Sequence, residues 1–193
     1  MPEFTSDWTS VHFPTWERLL ALANWDRRQV KTVVEVGSFE GRSTLWFMDH
    51  ALGALGSKVY CVDVWDRDPV LARFSSNVRS HARHEDVFAI KQTSFDGLSA
   101  LIAAKIEADL IYIDGSHAAP HVLEDLVLAF RLAKIGALVM CDDYLWADPA
   151  HGGDDIVGRP KIAIDAFTTI FSRKIAMISG ASNGQVYFVK TAE

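Results

Sequence analysis

Apolar residues along the chain gather in short runs separated by stretches of helical period. Five runs read as strands: Thr32 to Val36, Lys58 to Asp63, Val87 to Lys91, Leu110 to Asp114 and Ala137 to Asp142. Thr-Val-Val-Glu-Val and Leu-Ile-Tyr-Ile-Asp are apolar nearly throughout rather than alternating, which suits parallel strands covered by helices on both faces. Between the fourth and fifth runs, Val122, Leu126, Ala129, Phe130 and Ala133 fall on one helical stripe, and Gly136 is expected to end that helix. Pro14 opens an earlier helix through Trp16, Leu19, Leu20 and Ala23, expected to dock on the sheet edge or the site mouth. Ala147 to Pro160, rich in Gly, Asp, Pro and His, reads as a loop over the site. A last helix, Lys161 to Phe171, precedes two more strands, Lys174 to Ile178 and Gln185 to Lys190, joined by a Ser-Asn-Gly hairpin turn. The rhythm predicts one α/β domain built on a doubly wound sheet, with residues 1–30 as a helical cap and 31–193 as the core.

Composition narrows the partners. A chain of 193 residues that is 49% hydrophobic can bury one substantial core. A net charge of −6 provides no basic footprint for nucleic acid or an anionic membrane, and points to small solutes or neutral polymers. Cys61 and Cys141 each sit in an apolar run, so a disulfide scaffold is not expected and a reducing, cytoplasmic setting is. Met1 to Trp16 carries Glu3 and Asp7 and lacks the pattern of a signal peptide. No apolar run approaches the roughly 18 residues of a spanning helix.

The first candidate chemistry lies in Val33-Val-Glu-Val-Gly-Ser-Phe-Glu-Gly-Arg-Ser-Thr44, a strand, a glycine turn and a helix start. In a doubly wound sheet, ligands settle at the carboxyl end of the first strand. Gly37 permits a tight turn and close ligand approach, Gly41 lets the helix pack near the strand, and Ser38, Ser43 and Thr44 offer polar contacts. Asp63, ending the second strand, can accept both ribose hydroxyls of an adenosine. Ser94 and Phe95 follow the third strand, where an adenine edge would be read. Carboxylates at Glu35 and Glu40 would repel a pyrophosphate but attract the sulfonium and ammonium of S-adenosylmethionine. The Glu-x-Gly-x-x-x-Gly spacing also departs from Gly-x-Gly-x-x-Gly.

The second candidate is a carboxylate cluster. Asp114 ends the fourth strand and Asp142-Asp143 the fifth, where unpaired they would repel one another; Mg²⁺ would relieve that repulsion and acidify a bound alcohol. Extended neighbours point to opposite faces, so the turn must rotate one of the pair for both to face an ion. The alternative is that one aspartate caps a helix and another pairs with Arg or Lys. His117, three residues after Asp114, is a candidate base or a surface histidine; His151 is a second candidate, and His121 is assigned to the helix surface. Trp65, Tyr144 and Trp146 are candidate pocket walls.

Val-Glu-Val-Gly-Ser-Phe-Glu-Gly-Arg-Ser-Thr, Ile-Asp-Gly-Ser-His and Cys-Asp-Asp-Tyr-Leu-Trp together resemble the small bacterial class I methyltransferases related to macrocin-type sugar O-methyltransferases, and more distantly the catechol and caffeoyl-CoA enzymes. The resemblance, from about Val33 to Lys190, implies a Rossmann-like sheet of seven strands with the last antiparallel. It implies Asp114, Asp142 and Asp143 as metal ligands, with Asp114 also near the donor, and His117 where catechol-type enzymes carry a lysine base. It further implies a small-molecule or saccharide acceptor, while the short N-terminus suggests little lid over that acceptor, and helix Trp16 to Trp25 could serve a homodimer or the core. A nicotinamide oxidoreductase, a metal-independent methyltransferase and a non-catalytic binding module are the rival readings.

Overall fold

A computed structural model describes residues 1–147, 155–179 and 184–193. Seven strands form one sheet: β1 (Thr32–Val36), β2 (Lys58–Asp63), β3 (Val87–Lys91), β4 (Ala108–Ile113), β5 (Ala133–Cys141), β6 (Ile175–Ile178) and β7 (Val186–Lys190). Their order is β3-β2-β1-β4-β5-β7-β6, with β1 to β5 parallel and β7 antiparallel to both its neighbours. The doubly wound sheet is therefore as the sequence pattern predicts, and the reversed last strand as the resemblance implies. The order reverses between β1 and β4, which opens a crevice at their carboxyl ends.

Helices cover both faces. On one side lie α1 (Phe13–Leu22), α2 (Arg42–His50) and α3 (Asp68–Arg79); on the other lie α4 (Ser94–Ala103), α5 (Ala119–Leu132) and α6 (Pro160–Ile170). The near-continuous apolar strands serve both layers, because successive side chains point to opposite faces. Val34 and Val36 pack toward α4 and α5, while Val33 joins the layer that holds Trp16, Trp46 and Phe47. Burying each such large side chain contributes roughly 1.5–3 kcal/mol. The edge strand β3 is the exception, with Phe88 and Ala89 exposed.

The first three strands coincide with their predicted bounds, but the α5–β5 junction does not. Helix α5 stops at Leu132, and Gly136 lies inside β5 rather than at the helix end. The buried Lys190 ammonium donates to the carbonyls of Phe130 and Ala133, 3.3 and 2.9 Å away, and so satisfies oxygens that end the helix. The chain then pairs Ala133 with Ala108, bulges, and resumes pairing at Leu138 opposite Leu110. Gly136, at φ +89°, makes the turn within that bulge.

Helix α1 puts one face in the core, with Trp16 and Leu19 buried against α2 and Tyr112, and leaves Glu17, Arg18, Ala21 and Leu22 exposed on the other. Among the described residues, no helix is long and apolar enough to cross a membrane, and both cysteines are free and buried. The expected Ser-Asn-Gly turn falls largely on residues outside those described, as do His151 and most of the loop before Pro160.

Candidate active site

The turn after β1 is fixed from two directions. Asp63 Oδ2 accepts the backbone N–H groups of Ser38 and Phe39, each at 2.9 Å, and its Oδ1 accepts that of Trp65 at 2.8 Å. The carboxylate expected to meet a ribose therefore also holds the glycine turn in place. Gly37, at φ +81°, lies against β4: a Cβ there would stand 2.0 Å from the carbonyl oxygen of Asp114. The absent side chain makes room for protein backbone as well as for any ligand.

Glu35 is fully buried beneath this turn and accepts hydrogen bonds from Ser38 Oγ at 2.8 Å and Thr44 Oγ1 at 2.5 Å. Burial raises its carboxyl above the usual range, with the hydroxyls of Ser43, Thr44 and Ser38 pulling the other way. Its Oε1 has no hydrogen-bond partner. Glu35 and Gly41 do not line the crevice; Gly37, Ser38, Ser43, Asp63, Ser94 and Phe95 do. Gly41 lies instead under the Phe74 ring, where a Cβ would meet it at 3.0 Å.

Across the crevice stand the three aspartates. Tyr112, buried on β4, donates its hydroxyl toward Asp142 Oδ2 and toward Asp114 Oδ2, the latter at 2.9 Å. One hydroxyl proton thus faces two carboxylates. Burial, then the neighbouring charges of Asp142 and Asp143, push the Asp114 carboxyl well above its ordinary range, and burial raises Asp142 as well. Asp142 is further held by Gln185 Nε2 at 2.6 Å and by the backbone N–H of Asp143 at 2.7 Å. Asp143 takes the left-handed conformation, φ +56°, which supplies the rotation that a pair of neighbouring aspartates requires to face one cleft. It meets His117 Nε2 at 2.7 Å, and the His117 ring stacks on Trp146 with centroids 4.1 Å apart.

Among the described residues, no three His, Cys, Asp or Glu side chains are gathered closely enough to cage an ion as they stand. The chemistry of the donor set nevertheless fits a hard cation. Asp114 and Asp142 have raised carboxyls and share one hydroxyl proton, Asp143 stands beside them, and no protein donor among the described residues reaches Oδ1 of Asp114 or Asp143.

The crevice encloses about 1050 Å³ and brings the glycine turn, Asp63, Ser94, Phe95, the three aspartates, His117 and Trp146 to one wall system. Two of the candidate aromatics lie elsewhere. Trp65 is buried, its positive φ of 36° turning it inward so that Nε1 donates to the Phe39 carbonyl at 2.8 Å. Tyr144 pairs with Asp165 and Lys161 on α6. His121, expected on the helix surface, is exposed at the crevice margin, 3.1 Å from Ser116 Oγ.

The N-terminal segment, expected to provide little lid, lies along the crevice. Phe4, Ser6, Trp8, Thr9 and His12 all line the crevice. Thr5 is tied to the buried Glu40 carboxylate through its N–H and hydroxyl, at 2.7 and 2.6 Å, and Asn77 exchanges hydrogen bonds with the Glu3 backbone at 2.8 Å. His12 comes within 3.9 Å of Asp142. A short polar segment before the first helix gives no local pattern that would place it there.

The fold is shared with solved methyltransferases. An O-methyltransferase from Bacillus cereus, solved with S-adenosylhomocysteine, superposes with a TM-score of 0.71 at 17% identity, over 97% of this chain and 84% of the other. TomG of Streptomyces achromogenes, an O-methyltransferase of tomaymycin synthesis solved with S-adenosylmethionine, gives 0.71 at 16%, over 96% and 82%. MycE of the mycinamycin pathway, solved with Mg, S-adenosylhomocysteine and mycinamycin VI, gives 0.67 at 17%; this chain spans 51% of its length, with 97% of its own residues aligned. A search of curated proteins returns no match. Residues 34–144, more than half of the chain and the stretch that holds the glycine turn and all three aspartates, match the family described as a methyltransferase domain, and the chain belongs to that family.

Proposed function

We propose that the protein transfers a methyl group from S-adenosylmethionine to a hydroxyl of a small molecule or saccharide, with a divalent cation, Mg²⁺ in the first instance, assisting. The observation that carries this reading is the single crevice in which the glycine turn and Asp63 face the carboxylates of Asp114, Asp142 and Asp143. Gly37, Ser38, Ser43 and Asp63 would contact the donor, Glu35 and Gly41 would shape the turn from beneath, and Ser94 and Phe95 would border the adenine, with Asp114 between donor and metal. S-adenosylmethionine, when bound, supplies an electrophilic methyl on a sulfonium. A divalent cation held by Asp114, Asp142 and Asp143 would lower the pKa of a hydroxyl beside it.

His117 is the base. A carboxylate only accepts, so His117 Nε2–H donates to Asp143, and the neutral ring keeps Nδ1 free to take a proton. Asp143 and the stacked Trp146 fix the ring and stabilise the imidazolium that forms when the acceptor hydroxyl gives up its proton. The N-terminal segment from Phe4 to His12 excludes water and helps align the acceptor oxygen, and positioning of this kind supplies much of the rate.

Calorimetric titration with S-adenosylmethionine, and with NAD in parallel, tests the donor half. Saturable micromolar-range binding of the former alone supports it; preference for NAD would restore an oxidoreductase, and no binding would leave a non-catalytic module. An acceptor screen with Mg²⁺ or a chelator tests the rest, with Asp142→Ala expected to lose turnover while keeping donor affinity. A metal-independent reaction is the second reading. It is favoured by the absence, among the described residues, of three ligand side chains gathered closely enough to cage an ion as they stand, and activity that survives a chelator would establish it.

A further inference from the structure

A buried run of hydrogen bonds ends on the carboxylates from below. Trp16 Nε1 donates to Gln185 Oε1 at 2.8 Å, and the Tyr187 hydroxyl donates to the same oxygen. With that oxygen met by two donors, the Gln185 amide has one orientation, and Nε2 is the atom that faces Asp142 Oδ2. Tyr112 reaches the same Asp142 oxygen and extends the run to Asp114. Trp16, Tyr112 and Tyr187 are at most 1% exposed and Gln185 is 5% exposed; none of the four lines the crevice.

Packing alone does not account for this arrangement. Burying an amide, an indole N–H and two phenol hydroxyls costs free energy unless each is satisfied, and apolar side chains of similar volume would fill the same space without that demand. Here Gln185 and Tyr112 both direct donors at Asp142, although they come from opposite sides of β5, Tyr112 from β4 and Gln185 from the residue that leads into β7. Outer residues that hydrogen-bond metal-ligating carboxylates orient them and tune the ion's affinity.

We propose that Tyr112 and Gln185 are positioning residues that set the placement of Asp114 and Asp142 for a divalent cation, with Trp16 anchoring Gln185 to helix α1. This rests on the metal-assisted reading of the site. Without the Tyr112 hydroxyl the two carboxylates lose their shared donor, and without the Gln185 amide Asp142 loses the contact that fixes its rotamer.

The test uses the full-length protein and Mn²⁺ alone as probe, titrated calorimetrically and by the EPR signal of free Mn²⁺, for wild type, Tyr112→Phe and Gln185→Met. S-adenosylhomocysteine affinity and thermal unfolding are measured beside it. Both variants are expected to bind Mn²⁺ 10- to 100-fold more weakly than wild type while keeping donor-product affinity. A purely structural role would move unfolding temperature and leave Mn²⁺ affinity alone. Gln185→Met removes the oxygen that Trp16 and Tyr187 meet, so if it does not fold, Tyr112→Phe decides. Variants that bind Mn²⁺ as wild type does overturn the positioning role and leave the metal site standing. Wild type that binds no Mn²⁺, or binds it unchanged in Asp142→Ala, overturns both.

Discussion

Asp143 Oδ2 lies 2.7 Å from His117 Nε2, and the aspartate reaches that position through a left-handed backbone at φ +56°. Asparagine tolerates this conformation and keeps nearly the same shape, so Asp143→Asn separates charge from geometry. His117→Ala removes the base and should lower turnover by about 10²- to 10⁴-fold with donor affinity unchanged. Asp143→Asn should lose part of that factor, through the tautomer and the unsupported imidazolium. Turnover of His117→Ala within twofold of wild type would remove the histidine from the mechanism.

Asp63 ties the exits of β1 and β2 together through three backbone N–H groups. Asp63→Ala should therefore cost both stability and donor affinity: roughly 1–3 kcal/mol for buried donors left without an acceptor, and at least tenfold in binding. Denaturant unfolding and calorimetry on the same sample check the pair. Lost stability at unchanged donor affinity would leave Asp63 a scaffold residue only.

What was legible in the sequence follows the range of each interaction. Strands β1 to β3 could be read to the residue because their apolar runs are bounded by polar residues close by in the chain. The start of β5 could not, since the group that satisfies the end of α5, Lys190, arrives from a strand 57 residues beyond Ala133. The same holds at the site. Asp114, Asp142 and Asp143 stand at strand ends and announce themselves, whereas Gln185 meets Asp142 across 43 residues and Tyr112 reads as strand filler. Trp65 reads as a rim aromatic because nothing in its neighbourhood signals the positive φ that buries it.

Gly37 and Gly41 share a positive φ but differ in what surrounds them. At Gly37 a Cβ meets the Asp114 carbonyl oxygen at 2.0 Å, and that backbone, just past the end of β4 and held by the Asp114 N–H to Val36 carbonyl bond of 2.8 Å, cannot yield; at Gly41 it meets the edge of the Phe74 ring at 3.0 Å, which can shift. Gly37→Ala should prevent folding or cost well over 3 kcal/mol, while Gly41→Ala should cost about 1–2 kcal/mol and fold. Circular dichroism and thermal melts of the two variants give the comparison. Equal destabilisation would mean that β1 and β4 separate more easily than their packing indicates.

Asp125 on α5 is 1% exposed, and neither carboxylate oxygen has a hydrogen-bond partner. Burial pushes its carboxyl up to about 6, opposed by the Ser94 hydroxyl and by His121, and reinforced by Glu124. The folded state therefore holds this proton to higher pH than the unfolded chain does, whose ordinary aspartate value is 3.8. Its contribution to stability is fully present below about pH 4 and is lost as pH rises through about 6, amounting to roughly 3 kcal/mol at about 1.4 kcal/mol per unit. Asp125→Asn removes the titration at nearly constant shape. The variant should match wild type near pH 4 and exceed it at pH 8, by an amount that grows mostly between pH 4 and 6. Urea unfolding across that window measures the difference directly, and a gap that stays constant with pH would mean that Asp125 ionises in the folded protein as easily as it does in water.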